Sequence, residues 1–111
     1  MARQSVLDMP VERVYPLLLQ KAGRKGRTKE EVDAVIAWLT GYRMEEVDPS
    51  VPWGAFCENA PAWNPRADLI KGKICGVDIE GIEDPVMRRV RQLDKLIDEL
   101  AKGRALEEVL R

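Results

Sequence analysis

Basic side chains crowd a short segment around residue 24, where they could bind an anion. The candidates for this anion site are Arg24, Lys25, Arg27, Thr28 and Lys29. Thr28 and Glu31 form the T-x-x-E pattern of a helix start. The unpaired backbone N–H groups and the dipole at a helix start attract negative charge. We favour a solvated turn whose charges are neutralised by neighbouring acidic residues, and a phosphate or nucleotide site is the alternative.

Nucleic-acid recognition is a weaker interpretation of the same segment. The helix that follows exposes Glu30, Asp33 and Ala37, whereas a recognition helix presents Arg, Asn, Gln or Ser to base edges. The charge is +5 over residues 1–29, −6 over 30–63 and 0 over 64–111, and the net charge of −1 offers no general attraction for a polyanion. We therefore do not expect nucleic acid as a partner, except as an alternative through the basic turn 21–29.

Candidates for catalytic chemistry are few. The chain contains no histidine, which removes the commonest general base and a common metal ligand. Cys57 and Cys75 do not form a close metal-binding pair, and we expect both to be reduced and structural. The four carboxylates between Asp78 and Asp84 lack the spacing of a calcium loop. The sequence therefore predicts no catalytic residues, no metal and no cofactor, and an enzyme that uses a cysteine or a carboxylate is the second alternative.

The three tryptophans could line a pocket, a core or a contact surface. The chain has only one Phe and two Tyr, so large aromatic side chains are needed first for the core. We assign Trp38 and Trp53 to the core. Trp63 lies in a predicted loop between two prolines and is the candidate for contact with a partner.

In the first part of the chain, the candidate residues lie on or next to two predicted helices. Apolar residues recur at helical spacing from about Met9 to Arg24, with Asp8 as the expected cap. Pro16 predicts either a kink or a helix start at residues 15–16. A turn at 25–27 and a second helix ending at Gly41 complete a helical hairpin.

The second half alternates short elements with one long helix. Pro52 is expected at the first position of a short helix that ends before Pro61, and residues 69–80 are expected to form a short two-stranded β element. Pro85 begins a helix to about residue 102, whose charged residues, Glu99 included, should form a solvated face. We therefore predict a mainly α fold, a compact bundle of four to five helices with the small β element.

Length and composition suit one domain spanning residues 1–111. Hydrophobic residues make up 45% of the chain and charged residues 33%, a balance typical of a folded globule. Neither a signal-peptide run nor a membrane-spanning apolar stretch is present, so we expect a cytoplasmic protein with no membrane partner. The long helix could pair with a partner helix but should pack within its own domain, as a monomer or a homodimer.

Short motifs throughout the chain resemble the bacterial domain-of-unknown-function family 2200. The matching stretches are Val14-Tyr15-Pro16, Gly26-Arg27-Thr28-Lys29, Trp38-Leu39-Thr40-Gly41-Tyr42, Ala60-Pro61 with Asn64-Pro65, Cys75-Gly76-Val77, and the segment from Ile82 to Gly103. The chain departs from the usual pattern of the family at Trp53, Cys57, Trp63 and Gly81. The resemblance implies no activity, cofactor or catalytic residue.

A non-catalytic interaction module or small regulatory protein is the function that the sequence favours. No arrangement of residues for catalysis is visible, and the C-terminal helix offers an extended amphipathic surface. An unknown protein partner is therefore expected, with the basic turn and the enzyme hypotheses as the two alternatives.

Overall fold

The computed structural model describes residues 6 to 74 and 76 to 110, and this part of the chain is mainly helical. The helices are α1 (Val11–Gly23), α2 (Lys29–Thr40), α3 (Trp53–Glu58), α4 (Pro85–Ala101) and α5 (Leu106–Val109). The strands β1 (Lys73–Ile74) and β2 (Val77–Asp78) form an antiparallel hairpin. Short 3₁₀ turns occupy Val6–Asp8, Met44–Glu46, Pro65–Leu69 and Ile79–Gly81. The predicted mainly α class with a small β element is confirmed.

Helix α4 is the element on which the others pack. Asp84 caps it by accepting hydrogen bonds from the backbone N–H groups of Val86 and Met87, and Pro85 occupies the first turn. Its apolar face packs against α1, α2, α3, α5 and the β hairpin. The fully buried side chains of this face are Val90, Leu93, Leu96, Ile97 and Leu100. The helix is therefore internal to the fold, as predicted.

Two polar residues of α4 are buried, and one of them, Glu99, is more buried than the sequence predicted. Glu99, expected on the solvated face, is buried and forms an ion pair with Arg104 at 3.1 Å. Gln92 is also buried, and its side-chain amide donates a hydrogen bond to the carbonyl of Ala67. Both side chains have local polar partners, which offsets the cost of removing them from water.

Helix α1 begins at Val11 and continues through Pro16, so the alternative start at residues 15–16 is wrong. The predicted cap by Asp8 is also wrong, because Pro10 occupies the N-cap position. Loop carbonyls satisfy the first turn instead. The N–H of Val11 donates to the carbonyl of Val51 at 2.8 Å, and the next N–H donates to the carbonyl of Pro49 at 2.9 Å. These bonds tie the loop before α3 to the start of α1.

Helix α2 has both of its predicted ends. At its start, the side chain of Thr28 accepts from the N–H of Glu31, and the Glu31 carboxylate accepts from the N–H of Thr28. At its end, Gly41 takes a left-handed conformation with φ of +82°. The apolar residues Val32, Val35, Ile36 and Leu39 form its inner face, and all four are fully buried.

A loop from Ala60 to Asn64 covers the C-terminal end of α2. The N–H groups of Ala62 and Asn64 donate to the carbonyls of Thr40 and Leu39, at 3.0 and 2.8 Å. The side-chain amide of Asn64 donates to a third helix carbonyl, that of Trp38, at 3.1 Å. The loop thereby supplies partners for backbone groups that a helix end leaves unpaired.

The short helix α3 contributes the largest buried side chains of the core. Trp53, Phe56 and Cys57 are all essentially buried, as predicted for Trp53 and Cys57. Pro52 is the N-cap residue rather than the first helical residue, one position from the expected boundary. Trp38, expected in the core, is half-buried and packs against the core from outside. Across the described residues, no helix combines the length and apolar character needed to cross a membrane.

Candidate functional site

The positive charges of the basic turn are largely neutralised by acidic side chains of α2. The guanidinium of Arg27 lies 2.7 Å from the carboxylate of Glu31, and the ammonium of Lys29 lies 2.8 Å from that of Asp33. Glu31 also fills the backbone position at the helix start where an external anion would bind. Arg24 and Lys25, both exposed, make no ion pair within the described part of the chain. The predicted anion site thus retains two exposed cations whose charge is not neutralised.

A hydrogen-bonded cluster that the sequence did not predict joins α1 to α2. The hydroxyl of Tyr15 donates to one oxygen of Asp33, while Lys29 binds the other oxygen. Burial, followed by the neighbouring Asp33, raises the pKa of Tyr15 to about 12. Tyr15 therefore remains a neutral phenol near pH 7 and holds the two helices together rather than accepting protons.

The capping interaction at Thr28 should contribute measurably to the free energy of unfolding. Thr28→Ala removes the side-chain oxygen that accepts from the N–H of Glu31, at 3.2 Å in the structure. The free energy of unfolding should fall by about 1 kcal/mol. Urea denaturation followed by far-UV circular dichroism measures the change. Thr28→Ser keeps the oxygen and should cost clearly less, and equal losses for the two variants would contradict the assignment.

Cys57, Asp78 and Asp84 each have a structural place in the fold. Cys57 is buried, and burial followed by the nearby Asp94 raises the pKa of its thiol to about 12. Asp78 accepts from the N–H of Glu80, and Asp84 caps α4, so both carboxylates are used by the backbone. No group of three or more Cys, Asp or Glu residues in the described ranges is placed to hold a metal ion. The prediction for Cys75 lies outside the described residues.

Trp63 lies at a surface cleft and is covered on one face by an arginine. The guanidinium of Arg89 is 4.6 Å from the centre of the Trp63 ring. The same guanidinium donates to the carbonyls of Cys57 and Glu58, at 3.0 and 3.2 Å, at the C-terminal end of α3. Trp63 itself is half-buried, less exposed than its place between prolines predicted. The arginine was not predicted, because it lies far from Trp63 in sequence and in a helix full of charged residues.

The cleft next to Trp63 has a volume of about 240 Å³. We name it the Trp63 cleft, and its lining residues are Trp63, Asp68, Glu83, Pro85, Arg88, Arg89 and Gln92. A second depression of about 390 Å³ is lined by Glu58, Pro85, Val86 and Arg89. Pro85 and Arg89 belong to both, so the two depressions form one continuous surface.

A separate pocket of about 310 Å³ opens at the end of α2. We name it the Tyr42 pocket, and it is lined by Gly41, Tyr42, Arg43, Glu46, Val47, Asp48, Val51, Phe56 and Pro61. Tyr42 stacks on Phe56 with ring centres 4.2 Å apart, and Phe56 stacks on Trp53 at 4.7 Å. Most of the lining comes from the segment 41–51, and Phe56 of α3 and Pro61 complete it, so no sequence signal marked this pocket.

Comparison with known proteins places the chain in a family. Residues 5–111 match the family described as "Uncharacterized protein conserved in bacteria (DUF2200)". The chain belongs to this family. The resemblance seen in the sequence motifs is thereby confirmed.

A solved structure supports membership of the DUF2200 family. The protein is similar to the crystal structure of uncharacterized protein SP1917, with 43% sequence identity and a TM-score of 0.89. The match covers 98% of this chain and 93% of the other. None of the curated proteins matches significantly. The family and the solved relative establish the fold, and both are described as uncharacterised.

Proposed function

We propose that this DUF2200 protein is a non-catalytic interaction module of the bacterial cytoplasm, and that the Trp63 cleft is its contact surface. The observation that carries the proposal is the pairing of Trp63 with Arg89 at 4.6 Å beside an open cleft. Tryptophan and arginine are the residue types that most often dominate the energy of protein interfaces. An indole with one face against a guanidinium also offers a large apolar contact area at low entropic cost.

The pair is held in place before any partner arrives. Arg89 is fixed by two carbonyl groups at the end of α3, and the loop that carries Trp63 is anchored to α2 through Ala62 and Asn64. A pre-ordered contact surface loses less conformational entropy on binding. The geometry thus favours recognition of a protein segment that inserts an apolar side chain beside Trp63.

The charged residues at the rim of the cleft indicate which partner surfaces would be complementary. Asp68 and Glu83 lie at the same surface as Arg88 and Arg89, so acidic and basic groups are mixed. A mixed rim suits a polar partner surface with both signs of charge and disfavours a uniformly charged polymer. The basic-turn alternative has less support, since the turn retains only two cations without an ion pair among the described residues. Of the two cysteines, Cys57 is a buried neutral thiol and does not support the enzyme alternative.

Affinity capture with a Trp63→Ala variant tests this surface. The immobilised protein is incubated with a lysate of a bacterium whose family member has tryptophan at the position of Trp63, and the retained proteins are quantified by mass spectrometry. Because loss of an interface hot spot costs at least about 2 kcal/mol, recovery of the specific partner at limiting bait should fall about tenfold or more.

Leu17→Ala is the matched control for loss of an apolar surface side chain. Leu17 is 53% exposed on α1 and does not line the cleft. This variant should capture the same partner as the unmodified protein, and thermal melts should show that both variants are folded. Equal recovery with Trp63→Ala, or no specific protein retained by the unmodified chain, would contradict the proposal.

A further inference from the structure

We propose that the Tyr42 pocket binds a small organic cation that carries an aromatic ring. The pocket is separate from the Trp63 cleft and is lined by a different set of residues. Its volume of about 310 Å³ lies at the lower end of the range of small-molecule sites. The inference does not depend on the proposed contact surface.

The preference for a ring comes from a column of three aromatic side chains. Trp53, Phe56 and Tyr42 stack with interplanar angles of 15°. Trp53 and Phe56 are buried, whereas Tyr42 is half-buried and lines the pocket, so the column ends there. A further ring in the pocket can contact Tyr42 by stacking or by its edge.

The hydroxyl of Tyr42 is available to such a ligand. It makes no hydrogen bond with any described residue. Burial, followed by the nearby Cys57, raises the pKa of Tyr42, so the group is a neutral phenol near pH 7. The phenol can donate to or accept from a polar group on the ligand.

The preference for a cation comes from the acidic residues of the pocket. One oxygen of Asp48 accepts from the N–H and the hydroxyl of Ser50, at 2.9 and 2.7 Å, and these bonds lower the pKa of Asp48. Its other oxygen accepts no hydrogen bond within the described chain. An exposed, ionised carboxylate whose second oxygen accepts no hydrogen bond from the described residues therefore lines the same pocket as the electron-rich ring of Tyr42.

The single basic residue of the lining, Arg43, does not make the pocket positive. Its guanidinium lies 3.7 Å from the carboxylate of Glu46, and both side chains are mostly exposed, so their attraction is weak. Together with Asp48, the two groups leave the lining with a charge of one negative unit. An anionic ligand of the same size would face two carboxylates and is disfavoured.

The walls of the pocket are fixed by bonds made elsewhere in the fold. Val51 accepts a hydrogen bond from the first residue of α1, and Gly41 is in close contact with the loop residue Ala62. Phe56, at the back of the pocket, belongs to the buried core. A pocket held open in this way requires little rearrangement to bind a ligand.

Matched ligands of opposite charge test the proposal by nuclear magnetic resonance. 2-Phenylethylamine and 3-phenylpropionate share a ring and a two-carbon spacer, and 2-cyclohexylethylamine keeps the charge without the aromatic ring. Titration into ¹⁵N-labelled protein should shift the backbone signals of Gly41, Tyr42 and Asp48 with the aromatic amine. The carboxylate and the cyclohexyl amine should each bind at least about threefold more weakly, as expected for a cation–π contact and a carboxylate pair.

Two variants and a charge-matched control assign the effect to the pocket. Asp48→Asn should weaken binding of the aromatic amine about threefold or more, and Tyr42→Leu should weaken it about fivefold, whereas Tyr42→Phe should keep most of it. Glu45→Gln removes one negative charge from the same loop, but Glu45 does not line the pocket. This control should bind like the unmodified protein.

The outcomes separate clearly. Binding that weakens with Asp48→Asn but not with Glu45→Gln, with signal shifts at the pocket, supports the proposal. Equal affinity for the amine and the carboxylate, equal losses in the Asp48 and Glu45 variants, or an absence of shifts at millimolar ligand would overturn it. Thermal melts of each variant show whether a lost signal reflects unfolding, and Asp48→Asn, at an exposed side chain, provides the test if Tyr42→Leu is unfolded.

Discussion

Trp53→Ala is expected to lower the free energy of unfolding by about 3–5 kcal/mol. Trp53 is fully buried and stacks on Phe56 with ring centres 4.7 Å apart. Helix α3 has only six residues, so its stability depends on packing rather than on its own hydrogen bonds. Urea denaturation followed by circular dichroism measures the loss, which is a large share of the stability of a domain of this size.

Trp53→Phe separates ring packing from the polar group of the indole. The buried indole N–H of Trp53 has no hydrogen-bond partner among the described residues, so replacing the indole sacrifices no hydrogen bond. Phenylalanine retains a ring that can stack on Phe56. The loss should be less than half of that seen for Trp53→Ala, and equal losses would show that the aromatic column contributes little.

Gly41→Ala is expected to destabilise the protein by more than 2 kcal/mol. Gly41 has φ of +82°, and an added Cβ would lie 2.7 Å from the Cβ of Ala62. The left-handed conformation costs a non-glycine residue about 1–2 kcal/mol, and forcing the loop away from α2 adds a cost of similar size. The midpoint of urea denaturation should fall accordingly.

Alanine substitutions at two other glycines separate the cost of the left-handed conformation from the cost of the close contact with Ala62. Gly26 has a similar φ of +79° but open space around its Cα, so Gly26→Ala reports the conformational cost alone. Gly23 lies at the end of α1 without a positive φ or a close neighbour, and Gly23→Ala should be neutral or slightly stabilising. If Gly41→Ala were no worse than Gly26→Ala, the close approach to Ala62 would not constrain the fold.

Features determined by neighbours in the sequence could be predicted. The capping pair of Thr28 and Glu31 and the cap at Asp84 involve residues within three positions of each other, so their spacing is visible in the sequence. The spacing of apolar residues along α4 likewise identifies its buried face from residue type alone. Membership of the family also followed from short motifs along the chain.

Features that depend on distant partners could not be predicted. The start of α1 is capped by loop carbonyls some forty positions away, so Asp8 was the wrong choice. Arg89 is held over Trp63 by a hydrogen bond to the carbonyl of Cys57, a residue 32 positions away in the sequence. The Tyr42 pocket forms where the segment 41–51 packs against Phe56 of α3 and Pro61. Each case is decided by tertiary packing, which local propensity does not encode.

The central position of α4 has a consequence for synthesis of the protein on the ribosome. Apolar residues of α2 and α3, such as Ile36 and Trp53, are buried in part by the packing of α4 against those helices. A nascent chain that has emerged only as far as residue 80 lacks α4 and leaves part of this apolar surface in water. Complete burial of the core therefore requires that α4 has left the exit tunnel.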